Sequence, residues 1–417
     1  MDIAIIFIYF LYVVALFLFV FWMLVYKDYN MEEKVGKLES YPTVTIAVPA
    51  WNEEKNIENT LLSLIRLHYP KEKLEIIVVN DGSTDRTKEI VERFIKDHSQ
   101  YNIKLIDQKN QGKAAGMNNA MRASTSEFFV VMDADSYIMR DGLLKLLPYF
   151  EDPKVGVVMP LMKITHVKTF LQKIQWIEYI INYFYKRLMT MIDTVHVAPG
   201  PFSIYKKEAL MKVGGFDEKS ITEDLEVTLR MQKANYRVLQ TGTAKVFTST
   251  PKTWKQFYRQ RNRWYKGSFF SILKHRDMLF NRKYGDFGYI QAPIIFLNGF
   301  LALGSTIFVL YNYVIKPMID FFINFASINF DVGLLFYKLN VSGFSVLSVN
   351  YFGLFMGFAL FVLAFMMAYL SMYYTNERFF KQGFFRFIVY LLLYSFIIGF
   401  VWLGVFFDLI RGKTQKW

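Results

Sequence analysis

The chain contains no cysteine, so disulfides, thiol catalysis, iron–sulfur clusters and Cys-ligated zinc are excluded. Its five histidines are scattered along 417 residues, too few and too dispersed to suggest a His-based metal centre. Zinc-finger spacing, a helix-turn-helix signature and an RNA-binding consensus are all missing. The net charge of +13 therefore does not point to nucleic acid as a partner. A membrane surface or phosphate-bearing small molecules account for it as well. What the chain has in excess is apolar character: 53% hydrophobic and 18% aromatic residues are more than a soluble protein needs, so part of it must face lipid.

Residues 3–26, IAIIFIYFLYVVALFLFVFWMLVY, run without a charge and are long enough to cross a hydrocarbon core of roughly 30 Å. No basic n-region or small-x-small cleavage site accompanies them, so residues 1–27 read as an anchor rather than a removed signal peptide. Further apolar helices are expected at about 288–314, 351–373 and 387–408, within a C-terminal membrane region spanning 287–417. Between the two ends lies a domain over 28–250 rich in Lys, Glu and Asp, followed by a basic, aromatic segment at 251–286. The positive-inside rule places this domain in the cytoplasm of a multi-pass cell-membrane protein. Residues 317–337 carry Asp320, Asn324, Asn329 and Asp331 and read as interfacial or re-entrant, which leaves four spans rather than five. The sequon Asn340-Val341-Ser342 agrees with an external loop there.

From Thr43 onward, short β-rich runs alternate with helix-period segments. VTIAVPA, LEIIVVN, IKLID, EFFVVMD and VGVVMPL are separated by amphipathic stretches. This pattern predicts an α/β domain with a mostly parallel sheet and helices on both faces. In such sheets ligands bind beyond the carboxyl ends of the strands. No GxGxxG follows the first strand, so a dinucleotide fold is not supported. Carboxylates stand there instead: Glu53 in WNEE, Asp81 in NDGSTD, and Asp133 with Asp135 in DAD. Acidic strand ends suit hydrogen bonds to a base and ribose. A D-x-D pair suits a hard divalent cation that bridges phosphate oxygens.

Thr222-Glu223-Asp224 falls at an expected helix start. Thr222 reads as its N-cap, and Asp224, held at a positive helix end, reads as an ionised carboxylate aimed as a general base. Residues 251–286 carry ten Lys and Arg against two Asp, the composition of a membrane collar. The amphipathic stretch 166–189 reads as a second interfacial helix docking the domain on the bilayer.

PAWNEE, NDGSTD, DAD and TED, followed by QRNRW, occur in the order seen in membrane-integrated family-two glycosyltransferases. That group includes cellulose synthase, hyaluronan synthase, chitin synthase and bacterial poly-N-acetylglucosamine synthases. The chain resembles it over about residues 43–285, NQGKAAGMNNA and GPFSIYKKEALMKVGGFDE included. The resemblance implies a GT-A-type nucleotide-sugar domain and a role for each residue. Glu53 and Asp81 would contact the nucleoside, and Lys113 the nucleoside or diphosphate. Asp133 and Asp135 would serve the ribose and a Mg²⁺ or Mn²⁺ on the diphosphate. Asp224, beside Glu223, would be the general base. Gln260 and Arg263 would close over the nucleotide, while Trp264, with Pro199 and Gly200, would meet the acceptor.

The implied reaction is sugar transfer from a nucleotide-diphosphate donor by a single inverting displacement, giving a β-linkage from an α-linked donor. Charge builds on the leaving diphosphate as the acceptor hydroxyl loses a proton, so the site needs both a cationic clamp and a base. Two acceptors remain open. Four spans favour a lipid-linked or short glycan. The full Q-x-x-R-W set favours a processive polysaccharide synthase that exports its chain. A non-catalytic membrane scaffold is the rival outside enzymology, against which the intact carboxylates argue. In and just before QRNRWYKG, Lys255, Arg259 and Lys266 are expected to face lipid headgroups, and the motif residues the site.

Overall fold

The structure is a computed structural model that describes residues 3–28, 36–333 and 350–412. The sequon at Asn340 lies outside the described residues. Helix α1 (Ile3–Asp28) precedes a globular part in which β1 (Val44–Ala50), α2 (Ile57–Ile65), β2 (Leu74–Asp81), α3 (Thr87–Asp97), β3 (Asn102–Gln108), α4 (Lys113–Ala123) and β4 (Phe128–Val131) alternate. Next come β5 (Tyr137–Ile138), α5 (Gly142–Leu146), β6 (Val155–Ile164) and the long α6 (Phe170–Met191). They are followed by β7 (Ser203–Lys206), α7 (Lys207–Lys212), α8 (Glu223–Lys233), β8 (Arg237–Thr248) and α9 (Trp254–Lys274). The C-terminal helices are α10 (Ala292–Leu310), α11 (Lys316–Ser327), α12 (Tyr351–Tyr374) and α13 (Phe384–Ile410).

The strands form one eight-stranded sheet in the order β3-β2-β1-β4-β7-β6-β8-β5. Both faces of its central strands are covered, which is why they read as near-continuous apolar runs. In β1, Val44, Ile46, Val48 and Ala50 belong to one core and Ala47 to the other, as strand alternation requires. The expected mostly parallel sheet is mixed in detail. β1 pairs in parallel with β2 and β4, β2 with β3, and β6 with β8, but β7 runs antiparallel between β4 and β6 and β5 runs antiparallel to β8. β7 is four residues long, too short for its period to mark it in the sequence.

Among the described residues, four helices are long and apolar enough to cross a membrane: Ile6–Asp28, Phe287–Ser327, Tyr351–Tyr374 and Phe384–Ile410. The second is 41 residues long, about 60 Å at 1.5 Å per residue. The polar-punctuated segment that begins near residue 317 is therefore the continuation of this helix, through α11, rather than a separate element.

Helix α6 does more than rest on a bilayer. One side of it packs on β6 and β8. Elsewhere along its length Trp176, Ile177 and Ile180 pack with Ala368, Met372 and Phe387, and Phe184 and Leu188 with Trp22, Val25 and Met367. It is the strut that fixes the sheet to α1, α12 and α13. A capping box between Thr169 and Gln172 starts it, and the same device between Thr253 and Gln256 starts α9.

Candidate active site

The carboxyl ends of β1, β2 and β4 converge on a cavity of about 280 Å³ lined by Trp51, Glu53, Asp81, Lys113, Asp133, Asp135 and Arg263, among others. Two of the loops are stitched together by side chains. The Asn52 N–H donates to Ser83 Oγ (3.0 Å), Thr84 N–H donates to Asn52 Oδ1 (2.8 Å), and Glu53 N–H donates to Thr87 Oγ1 (2.8 Å). WNEE and NDGSTD thus act as one rim, with the polar residues of each satisfying the other's backbone.

Asp81 caps β2 and is buried. Its Oδ1 accepts from Gln108 Nε2 (2.8 Å) and Gln111 N (2.9 Å), and its Oδ2 accepts from Gly112 N (2.9 Å). Much of its accepting capacity is therefore committed to the loop that delivers Lys113. Glu53 accepts from Asn56 Nδ2 at 2.7 Å. Burial raises its pKa, and the nearby Asp133 and Asp135 add to the rise against the Asn56 bond.

Lys113, the first residue of α4, places Nζ 2.6 Å from Asp133 Oδ1 and 3.4 Å from Glu223 Oε1. Burial works against its charge, but those two carboxylates outweigh burial and hold its pKa above the ordinary lysine value. Gly200 sits against this pair: a Cβ there would lie 2.5 Å from Lys113 Nζ and 2.8 Å from Asp133 Cγ. Only glycine leaves the ion pair its place.

Asp135 accepts from Ser136 Oγ (3.1 Å) and Ser249 Oγ (2.5 Å). Its pKa is raised by burial first and by the Asp133 charge second. Two hard oxygen donors that repel each other suit a divalent cation, whose charge relieves the repulsion. Among the described residues no cluster of three or more His, Cys, Asp or Glu side chains could hold a metal. Asp133 and Asp135 would be the residues to hold a Mg²⁺ or Mn²⁺, offering two carboxylates to it.

Glu223 and Asp224 open α8, Glu223 buried and paired with Lys113. Asp224 Oδ1 accepts from the Leu225 N–H at 2.8 Å. Burial and the Glu223 charge push the Asp224 pKa up to about 6, opposed by Lys113 and Arg263. The helix terminus does not hold this pKa down at the ordinary aspartate value, because desolvation and a like charge outweigh it. Nor does Thr222 cap α8 with its side chain: its Oγ1 is buried without a hydrogen-bond partner. The side chain is turned against Gly267 of α9, where a Cβ would come within 2.8 Å of Thr222 Cβ. The glycine of QRNRWYKG is thus the point where α9 meets the TED turn.

Arg263 lines the cavity, whereas Gln260, Trp264 and Pro199 do not. Gln260 and Trp264 stand beside it on α9, both touched by Arg261. Lys255 and Arg259 are exposed as expected, but Lys266 is buried and paired with Asp408 of α13 at 2.6 Å. Its charge faces a helix rather than headgroups. Sequence reasoning also missed Glu178 and Tyr179 on α6. Tyr179 has its pKa pushed up to about 12, chiefly by burial, with Glu178, Asp135 and Asp133 contributing. No motif marks these residues, because their place depends on how α6 crosses beneath the sheet.

Residues 45–214 match the model of Glycosyl transferase family 2. The chain is 33% identical over 257 residues to a poly-beta-1,6-N-acetyl-D-glucosamine synthase of Staphylococcus aureus strain COL, covering 59% of this chain and 60% of that protein. It is 30% identical over 266 residues to the probable glycosyltransferase YdaM of Bacillus subtilis strain 168, covering 61% and 62%. It thus spans about three fifths of the length of these curated relatives. The mannosyltransferase PcManGT of Pyrobaculum calidifontis, solved with GDP-Man and Mn²⁺, superimposes with a TM-score of 0.63 over 99% of both chains at 20% identity, a likeness of fold. Over residues 45–214 the chain is thus similar to glycosyl transferase family 2, and its fold is of the GT-A type.

Proposed function

We propose that this protein is a membrane glycosyltransferase that moves a hexose from a nucleotide-diphosphate sugar to a glycan acceptor, inverting the anomeric centre to form a β-linkage. The observation that carries the reading is the gathering of Glu53, Asp81, Lys113, Asp133, Asp135 and Arg263 around one cavity, with the Glu223-Asp224 turn tied to it through Lys113. The rim carboxylates suit the nucleoside. Lys113 and Arg263 suit the growing negative charge of a leaving diphosphate, which fixed cations stabilise in a partly desolvated site. A Mg²⁺ or Mn²⁺ at Asp133 and Asp135 would supply further charge compensation there.

Asp224 takes the acceptor proton in this scheme. Its pKa of about 6 leaves it ionised at neutral pH yet more basic than an ordinary aspartate, which is what a general base working near neutrality needs. Glu223 holds Lys113 and raises the basicity of Asp224. With Asp224 assigned as the base and the other carboxylates assigned to the nucleoside, Lys113 and the cation, a single displacement is the course that fits.

In this reading the catalytic domain lies on the cytoplasmic side, as the excess of Lys and Arg around it supports, with the acceptor arriving from the membrane side past α9. Four spans suit a lipid-linked or short glycan acceptor. The similarity to a poly-beta-1,6-N-acetyl-D-glucosamine synthase, with the Gln260, Arg263 and Trp264 set, favours a second reading in which the chain grows processively. Purified protein in detergent with Mn²⁺ is expected to turn over one of UDP-glucose, UDP-N-acetylglucosamine or GDP-mannose. No turnover with any of them refutes the enzyme reading. Sizing the product separates the acceptors: single-step products support limited addition, and a ladder to high mass supports the synthase.

A further inference from the structure

Arg261 is one of the largest fully buried side chains among the described residues, with none of its surface exposed. A guanidinium in that position requires compensation, since an isolated buried charge is strongly unfavourable. Its Nη2 donates to Glu178 Oε2 of α6 at 2.6 Å, and its Nη1 donates to Gln260 Oε1 at 2.8 Å. Its guanidinium carbon lies 4.0 Å from the centre of the Trp264 ring and 4.8 Å from that of Phe257. Of the three motif residues on α9, Arg263 reaches the cavity directly, and Arg261 touches the other two.

Trp264 is only partly buried and makes no other ring contact or hydrogen bond among the described residues. One face of its indole is therefore covered by a cation whose position is set by Glu178, on a different helix. A planar guanidinium held through one nitrogen by Glu178 and through the other by Gln260 is restricted in rotation, and a ring stacked on it inherits that orientation. The indole N–H and the uncovered face remain for a ligand, the arrangement in which an aromatic ring serves as a platform for a sugar.

We propose that Arg261, anchored by Glu178, is a positioning residue: it fixes the plane of Trp264 so that the acceptor sugar meets the site in one orientation. The proposal rests on the reading of Trp264 as an acceptor contact. Arg261 itself touches neither donor nor acceptor. Its loss affects transfer to a sugar while sparing the attack of water on the donor, because water needs no platform.

The test compares Arg261→Met/Glu178→Gln, which removes both charges of the pair together, with Arg261→Lys, Trp264→Ala and the triple variant Arg261→Met/Glu178→Gln/Trp264→Ala. The probes are UDP-N-acetylglucosamine with Mn²⁺ and a β-1,6-linked N-acetylglucosamine pentamer. For the charge-free pair the acceptor KM is expected to rise about tenfold, the order that one aromatic stacking contact supplies. Donor hydrolysis at saturating donor should stay within about twofold of the parent, because Arg261 touches no reacting atom. Arg261→Lys, which keeps charge without the planar fork, should fall between. In the Trp264→Ala background the pair substitution should add less than twofold, because both changes act through one ring. Multiplying effects in that background would overturn the proposal, as would donor hydrolysis falling in step with transfer. If Trp264→Ala alone leaves transfer unchanged, the acceptor reading of Trp264 is wrong and the proposal goes with it.

Discussion

Gly200→Ala is the substitution for which the structure separates function from stability most sharply. The Gly200 backbone lies outside the left-handed region, so alanine is not strained there by its own conformation. The obstacle is the added methyl, 2.5 Å from Lys113 Nζ and 2.8 Å from Asp133 Cγ. Relief to an ordinary contact of about 3.5 Å moves one of these groups by about 1 Å. Both are ends of side chains, 19% and 28% exposed, and can swing without disturbing β4 or α4. Their 2.6 Å ion pair is lost in the process. A fold that loses one partly solvated pair loses about 1 kcal/mol or less, a shift of a few degrees in Tm for a chain of this size. A catalytic constellation misplaced by about 1 Å loses about a hundredfold in rate. The assay is transfer kinetics on detergent-purified protein alongside thermal unfolding. Gly200→Ala is expected to unfold within a few degrees of the parent while kcat/KM falls about a hundredfold. Parental turnover in this variant would refute the assignment of the Lys113–Asp133 pair to the site.

Other predictions follow from the same geometry. kcat/KM should rise with pH through about 6, the value to which the Asp224 pKa is pushed, because the base acts only when deprotonated. A profile flat from pH 5 to 8 would remove Asp224 from that role. Because the folded state raises this pKa above the ordinary aspartate value, Asp224 costs stability as pH rises through about 6. Asp224→Asn should therefore raise Tm more at pH 8 than at pH 4.5, with transfer abolished. Thr222→Val should be neutral or stabilising, since its hydroxyl is buried without a partner, whereas a side-chain N-cap would cost about 1 kcal/mol to lose. Asp408→Asn strands the buried ammonium of Lys266 and should destabilise by about 3 kcal/mol. Lys266→Met in that background should restore much of the loss, with chemical denaturation as the measure.

Much of the plan was legible in the chain's own order of residues. Apolar runs longer than a bilayer is thick identify helices able to span one without any tertiary contact, because length and composition alone set that ability. Alternating apolar strands and amphipathic helices likewise declare an α/β layer structure, and ligands in such layers gather at strand ends. Glu53, Asp81, Asp133 and Asp135 could therefore be found by counting from the strands. These are local signals, each carried within a handful of consecutive residues.

The remainder depended on which elements cross. Whether Lys266 meets lipid headgroups or Asp408 turns on the packing of α9 against α13, more than 140 residues away in sequence. Whether Thr222 caps its helix or packs on Gly267 is settled by the approach of α9 to α8. The pKa of Asp224 reflects burial and a neighbour's charge, neither of which a motif encodes. Short β7 inverted the local direction of the sheet without leaving a periodic trace. QRNRWYKG shows both kinds of information at once. Its residue types announce a basic, aromatic segment suited to a membrane face, but only the tertiary structure sends Arg261 and Lys266 inward and Arg263 to the cavity, while Lys255 and Arg259 just before it stay at the surface. One helix can present each of its residues to a different environment, and that assignment is made by its neighbours.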